Sequence, residues 1–164
     1  MSKKIVITGG LGYIGTELCK IYSGISWNNK IIVIDNRFIS ERVNQLRNWN
    51  MDFVHGDILD KGLINKYCKD ADIVHHLAGI TDVPRVKSES NSENDNKITL
   101  VAEEGTQNII DAINDKCKII LPSTHVVYEG IDKVKNNIKE DEKTFPVLSY
   151  GKSKDYNEKQ LKAS

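Results

Sequence analysis

What this sequence has little of narrows it first. No apolar stretch is long enough to cross a membrane, and the opening MSKKIVITGG enters a strand-like run at once, so a cytoplasmic protein is expected. Neither sign of charge is in excess. The 23 basic residues balance 23 acidic ones, which removes the electrostatic basis for loose binding to nucleic acid or a membrane surface. Cysteine is scarce and odd in number; Cys19, Cys68 and Cys117 lie far apart, which favours reduced structural thiols over disulfides or a metal site. Gly15 is followed by Thr16 and not by Lys-Ser/Thr, so the glycine run is not a nucleoside-triphosphate P-loop. His75 and His76 adjoin on a strand and must face opposite ways, so they cannot jointly hold a metal and read as core or edge packing. Trp27 and Trp49 lack the basic interleaving of a base-stacking surface and read as packing residues. With no internal repeat or low-complexity linker, the 164 residues are one domain's worth of ordinary globular composition.

Against that background stands Lys4 to Thr16, KIVITGGLGYIGT. Ile5, Val6 and Ile7 form a buried-strand run, and Gly9, Gly12 and Gly15 follow at three-residue spacing. Ile14, Leu18, Ile21 and Ile25 then recur at helical period, so the glycines lie where a strand turns into a helix. A helix start with free N–H groups is a phosphate-binding place. Gly9 takes the tight turn, Gly12 presents no Cβ to an approaching pyrophosphate, and Gly15 lets the helix pack closely on the strand. A second apolar run, Ile31 to Ile34, ends in Asp35, twenty residues after Gly15, where a carboxylate accepts the hydroxyls of an adenosine ribose.

The alternation continues. A helix is expected over Ile39–Leu46, a strand over Met51–His55, a helix over Lys61–Cys68 and a strand over Asp72–Leu77. A loop over 80–95 with Pro84 feeds a long helix carrying Ile98, Ala102, Gly105, Ile109 and Ile113. A fifth strand, Lys118–Leu121, is closed by Pro122, and Ser123 to Tyr128 is expected to continue extended, with His125 pointing away from Thr124. Residues 129–149 read as a charged surface loop and Ser149 as the N-cap of a last helix from about Tyr150. This is an α/β chain, a Rossmann-type doubly wound parallel sheet with five strands, where the fold commonly has six or more.

Tyr150 and Lys154 are four apart, hence on one helix face. Lowering a phenol from about 10 to about 7 needs roughly 4 kcal/mol. One ammonium at about 4 Å supplies on the order of 4 kcal/mol at an effective dielectric near 20, so Lys154 suffices to make Tyr150 a base. On its own the pair also fits an ordinary amphipathic surface.

The glycines read from Gly9 as GxxGxxG, and there the chain resembles the short-chain dehydrogenase/reductase superfamily. The closer resemblance is to its extended branch, the nucleotide-sugar epimerase/dehydratase family. Asp35-Asn36, Gly56-Asp57-Ile58, Leu77-Ala78-Gly79, the Ser-Thr-x-x-Val-Tyr stretch and YGKSK follow in the family's order over nearly the whole chain. The resemblance implies an NAD site drawn from Gly9, Gly12, Tyr13, Ile14, Gly15, Asp35, Asn36 and Leu77, with Asp57 and Ile58 flanking the adenine and Ala78 and Gly79 lining the ribose and diphosphate path. It implies catalysis by Thr124, Tyr150 and Lys154, the last two also touching the cofactor. Dehydratases of the family carry Asp-Glu after the catalytic Thr; here His125-Val126 stands there, which weighs against dehydration. Ala102 stands where the family tends to have Asn.

The function implied is a UDP-glucose 4-epimerase-like, NAD-dependent enzyme acting on a nucleotide sugar by transient hydride transfer. Asp35 favours NAD over NADP and Arg37 pulls the other way. By the same resemblance residues 1–164 are the dinucleotide-binding domain, and the substrate domain with its sugar-selecting residues is absent from this chain. A non-catalytic dinucleotide-binding module and a ketoreductase of the same branch stay open as alternatives, as does a homodimer. Neither nucleic acid nor membrane is expected as a partner.

Overall fold

The computed structural model describes residues 2–25, 28–81, 92–132 and 136–164. Trp27, Pro84 and most of the expected loop over 80–95 lie outside them, as does part of the loop over 129–149. The chain forms two compact units, Met1–Gly79 with Glu104–Pro122, and Ile80–Glu103 with Ser123–Ser164.

The first unit holds one five-stranded sheet in the order β3-β2-β1-β4-β5. Its strands are β1 (Lys4–Thr8), β2 (Lys30–Asp35), β3 (Asp52–His55), β4 (Ile73–His76) and β5 (Lys118–Ile120). Every pairing is parallel, with Ile7 opposite Val33 on one side and His75 on the other. Helices α1 (Tyr13–Ser23), α2 (Ser40–Asn48) and α3 (Lys61–Cys68) supply the crossovers, and α4 (Ser92–Ala112) leads to β5. Parallel strands bury both faces, which is why β1 and β2 are β-branched almost throughout. Ile5, Val6, Ile7 and Thr8 are fully buried. One core cluster joins Ile5, Ile7, Ile31 and Val33 to Leu11, Cys19, Val43, Leu46 and Met51, with Trp49 packed against it.

The strand order reverses between β1 and β4, and an open α/β sheet binds its ligand beyond the carboxyl ends of the strands at that point. The glycine loop leaves β1 there. Gly9 has φ +68°, a left-handed conformation, and a Cβ on it would lie 2.6 Å from Ala78 N and 2.8 Å from Leu77 C. The close approach at Gly15 differs from the expected one: its Cβ would meet Gly10 Cα at 2.5 Å and Gly9 O at 2.7 Å, so the helix packs on the loop backbone and not on a strand. That contact also turns α1. Gly15 and Cys19 are its buried residues, with Leu18 and Tyr22 packed beside the core, while Ile14 and Ile21 are exposed at 58% and 61%. The apolar period Ile14-Leu18-Ile21-Ile25 therefore marks a helix but not its packing face.

The paired histidines sit in the core. Tyr22 Oη and His75 Nε2 share a hydrogen bond at 2.8 Å, and His76 lies between Thr8 Oγ1 (3.0 Å) and Thr106 Oγ1 (2.9 Å). Cys19, Cys68 and Cys117 are free thiols, and burial pushes Cys19 and Cys68 up to about 12.

In the second unit α5 (Ser149–Ala163) is tied to the first half of α4. Asn157 Nδ2 donates to Ala102 O at 2.9 Å and Gln160 Nε2 to Glu103 O at 3.2 Å. The segment after Pro122 is not extended as expected. His125–Tyr128 is a 3-10 helix, because the returning chain claims its backbone: Phe145 N donates to Val127 O at 2.7 Å and Gly130 N to Phe145 O at 2.8 Å. Ser149 is not the cap of α5 either. Leu148 holds that position, and Ser149 Oγ has no partner among the described residues. Glu129 Oε1 instead accepts from Val147 N and Leu148 N, placing a carboxylate at the positive end of the helix. Among the described residues no helix is long and apolar enough to cross a membrane.

Candidate active site

The first unit gathers the residues expected at the cofactor other than Tyr150 and Lys154. Thr16 N makes the first intrahelical bond of α1, to Gly12 O at 3.0 Å. The N–H groups of Tyr13, Ile14 and Gly15 thus precede the helical ladder, and no acidic residue stands in that first turn. A Cβ on Gly12 would have near it only Gly9 O at 3.1 Å and Arg37 Nη2 at 3.7 Å. Free amides, an open approach at Gly12 and a helix dipole pointing at it fit a dinucleotide diphosphate.

Asp35 ends β2 beside this loop, 4% exposed. Its Oδ2 accepts from Leu11 N at 2.9 Å, which fixes the carboxylate to the glycine loop. Its Oδ1 accepts from Arg37 N at 3.0 Å and Arg37 Nε at 3.2 Å. Arg42 of α2 donates to Leu11 O. Next to it Asn36 Nδ2 donates to Asp57 Oδ2 at 2.9 Å, joining the ends of β2 and β3. Ile58 is buried, packed where Gly105 of α4 lacks a side chain. Asn108 Nδ2 donates to Ile58 O at 3.0 Å and to Leu59 O at 3.3 Å. Sequence reasoning passed over Asn108, although it stands one helical turn from Gly105 and so on the same face. Leu77 and Ala78 back Gly9, and Ala78 N donates to Thr8 Oγ1 at 3.3 Å; Gly79 has nothing within 4 Å of a Cβ position.

The second unit carries the residues expected in catalysis. Lys154 Nζ stands 6.0 Å from the Tyr150 ring centroid, one turn along α5. A Cβ on Gly151 would lie 3.0 Å from Val126 O, so the first turn of α5 sits against the 3-10 helix. Thr124 caps that 3-10 helix, its Oγ1 accepting from Val126 N at 3.4 Å. Ser123 Oγ donates to Glu158 of α5. An open cleft of about 670 Å³ is lined by Ser123, Thr124, His125, Tyr128, Glu140 and Glu158 among others; Tyr150 and Lys154 are not among its described lining residues.

The expected activation of the phenol is not met by the chain alone. Burial pushes the Tyr150 hydroxyl above its ordinary value and pushes the Lys154 ammonium below its own. Both groups lose hydration on the packed face of α5, and at this separation the ammonium does not offset that loss for the phenol. Asp155, also missed, anchors this unit: Oδ1 accepts from Thr144 Oγ1 at 2.6 Å and Oδ2 from Lys159 Nζ at 2.5 Å. Nothing in the pattern around it separates it from a surface acid. Among the described residues no three His, Cys, Asp or Glu side chains gather as a metal site.

Comparison with known proteins places this geometry. Residues 6–164 match the 3-beta hydroxysteroid dehydrogenase/isomerase family. The CDP-paratose 2-epimerase of Salmonella typhi is 35% identical over 146 residues, covering 82% of this chain and 40% of that protein. The UDP-N-acetylglucosamine 4-epimerase from Methanobrevibacter ruminantium M1, solved in complex with UDP-N-acetylmuramic acid, superposes with a TM-score of 0.80 at 27% identity over 99% of this chain and 50% of its own. The UDP-glucose 4-epimerase from Brucella ovis in complex with NAD gives 0.79 at 28% identity over 99% of this chain and 47% of its own. The chain thus spans about half the length of these solved relatives, and less of the curated one. Together with the GxxGxxG helix start, the acid at the end of β2 and the Tyr-Lys pair on α5, these matches show that the chain belongs to the NAD-dependent nucleotide-sugar epimerase/dehydratase family of extended short-chain dehydrogenases/reductases.

Proposed function

We propose that this chain binds NAD and serves the epimerisation of a nucleotide sugar by transient hydride transfer, in the manner of UDP-glucose 4-epimerase. The observation that carries the reading is the open helix start at Gly12 with the Asp35 carboxylate fixed beside it through Leu11 N. The relatives' substrates support a nucleotide sugar as the class. When bound, NAD supplies the acceptor for a hydride and later its donor.

The chain's own groups do the rest. The amides of Tyr13, Ile14 and Gly15 face the diphosphate, Asp35 receives the ribose hydroxyls, and the Asp57–Ile58 loop, held by Asn36 and Asn108, flanks the adenine. Ala78 and Gly79 line the ribose and diphosphate path. Tyr150 Oη takes the proton of a sugar hydroxyl as the hydride leaves its carbon, Thr124 Oγ1 hydrogen-bonds the same oxygen, and Lys154 Nζ favours the phenolate and holds the nicotinamide ribose. With the hydride delivered to the other face of the keto-sugar, Tyr150 Oη would return its proton to the oxygen and the centre would be inverted. Burial of Tyr150 supports a second reading, a dinucleotide-binding module without turnover, because it keeps the phenol protonated.

Calorimetry with NAD, followed by NMR of a UDP-sugar incubated with the NAD-loaded chain, tests the proposal. Expected are saturable NAD binding and appearance of the epimer with no net change in NADH. Absence of NAD binding overturns the reading. Binding without conversion selects the silent module, and net formation of NADH with an equal amount of keto-sugar, a reductase running in reverse, selects the ketoreductase.

A further inference from the structure

One buried imidazole takes no part in the proposed chemistry. His76 ends β4 opposite Thr8 of β1, and Thr8, His76 and Thr106 are 0, 2 and 1% exposed. Its Nδ1 stands 3.0 Å from Thr8 Oγ1 and its Nε2 stands 2.9 Å from Thr106 Oγ1 of α4. Thr8 Oγ1 also accepts from Ala78 N at 3.3 Å. A buried hydroxyl has one proton to give and needs an acceptor for it. His76 Nδ1 is the acceptor set beside Thr8 Oγ1, so the imidazole carries its own proton on Nε2 and donates it to Thr106. The hydrogen bonds then run in one direction, from Ala78 N–H through Thr8 and His76 to Thr106, and each polarises the next.

The two ends of this row meet the two ends of the dinucleotide site, and all of its groups lie within the first unit. A Cβ on Gly9 would stand 2.6 Å from Ala78 N, so the row begins under the glycine loop. It ends in the turn Gly105–Asn108 of α4, where Gly105 makes room for Ile58 and Asn108 Nδ2 holds Ile58 O and Leu59 O. Resting on the dinucleotide reading above, we propose that His76 is a positioning residue of the cofactor site: held in its Nε2–H form, it couples the backbone under the diphosphate to the helix that seats the adenine loop. Each end keeps its own local contacts if the row is broken. What is lost is the support that one occupied end gives the other, and only a ligand spanning both ends draws on it.

Wild type, Thr106→Val and Thr106→Ser test this. In wild type the imidazole nitrogen resonances of His76, read by NMR, are expected to show the Nε2–H tautomer. Thr106→Val keeps the shape of the side chain and removes the far end of the row. Calorimetry should then show NAD bound about two- to tenfold more weakly, the range that one hydrogen bond is worth. Adenosine occupies the adenine end alone, so an NMR titration of the Ile58 and Leu59 amides should give it an unchanged affinity. Thr106→Ser restores the hydroxyl and should bind both ligands as wild type does. An Nδ1–H tautomer overturns the proposal and, being read in wild type, does so whatever Thr106→Val does to stability. Unaltered NAD affinity in Thr106→Val overturns it too, as does an equal loss for NAD and adenosine, which marks a general defect. If wild type binds neither ligand, the dinucleotide reading falls and this proposal with it.

Discussion

Gly9→Ala measures how far the phosphate loop is held by backbone contact. The added methyl must adopt φ +68°, which costs an L-residue about 1–2 kcal/mol. It would also stand 2.6, 2.7 and 2.8 Å from Ala78 N, Ala78 Cα and Leu77 C, all main-chain atoms that no rotamer change can move aside. Overpacking of this kind costs about 1–3 kcal/mol. The two effects together come to about 2–5 kcal/mol, and at about 2–4 °C per kcal/mol for a chain of this size the melting temperature should fall by about 4–20 °C. Gly79→Ala is the matched control, one residue beyond the atoms that crowd Gly9. Nothing lies within 4 Å of its Cβ position and its φ is not left-handed, so it should be neutral or gain up to about 1 kcal/mol. Both variants are followed by circular dichroism on heating and in urea. A Gly9→Ala protein melting within 1–2 °C (about 0.5 kcal/mol) of wild type would refute the argument, as would an equal loss at Gly79.

Two further outcomes concern α5. Tyr150→Phe should lower turnover of the NAD-loaded protein by about 10²–10⁴, and a difference titration at 295 nm against wild type should place the Tyr150 transition above 10 without cofactor and lower with it. Asp155→Asn should cost about 1–3 kcal/mol at neutral pH by weakening the links to Thr144 and Lys159. Burial raises the Asp155 carboxyl, but the hydrogen bonds from Lys159 and Thr144 outweigh it and hold the group below 3.8. Its contribution is therefore full above that value and lost as pH falls through the folded one, so the gap between variant and wild type in urea melts should close in acid and stay open at pH 7.

Much of the phosphate end could be read in one dimension because its requirements are local. A tight turn, an unobstructed amide row and an acid at the next strand end each demand a residue type at a set distance along the chain, and Gly9, Gly12 and Asp35 meet those demands within one β-α-β unit. The strand order, which puts the loop at the reversal between β1 and β4, came only with the fold, because the same alternation also fits other doubly wound orders. What periodicity could not supply was direction. Ile14 and Ile21 keep helical spacing yet face outward, because the contact of Gly15 with the Gly9–Gly10 backbone decides which side of α1 meets the sheet.

The remaining decisions were long-range. Val126 and Val127 favour a strand by propensity, but hydrogen bonds to Phe145, eighteen residues beyond Val127, bend them into a 3-10 helix. Ser149 has the chemistry of a cap, but the position falls to Leu148, whose N–H, with that of Val147, is held by the Glu129 carboxylate. The Tyr150–Lys154 spacing puts both on one side of a helix, while the hydration each gives up there depends on what packs against α5, and that sets the direction of both titrations. Sequence alone thus determined the strand-loop-helix start, its glycines and its acid, since those depend on neighbours in the chain. The tertiary structure alone decided which face is buried, which donor occupies Asp35 and how readily the phenol ionises, since each of these is a competition between groups that only folding brings within a few ångströms.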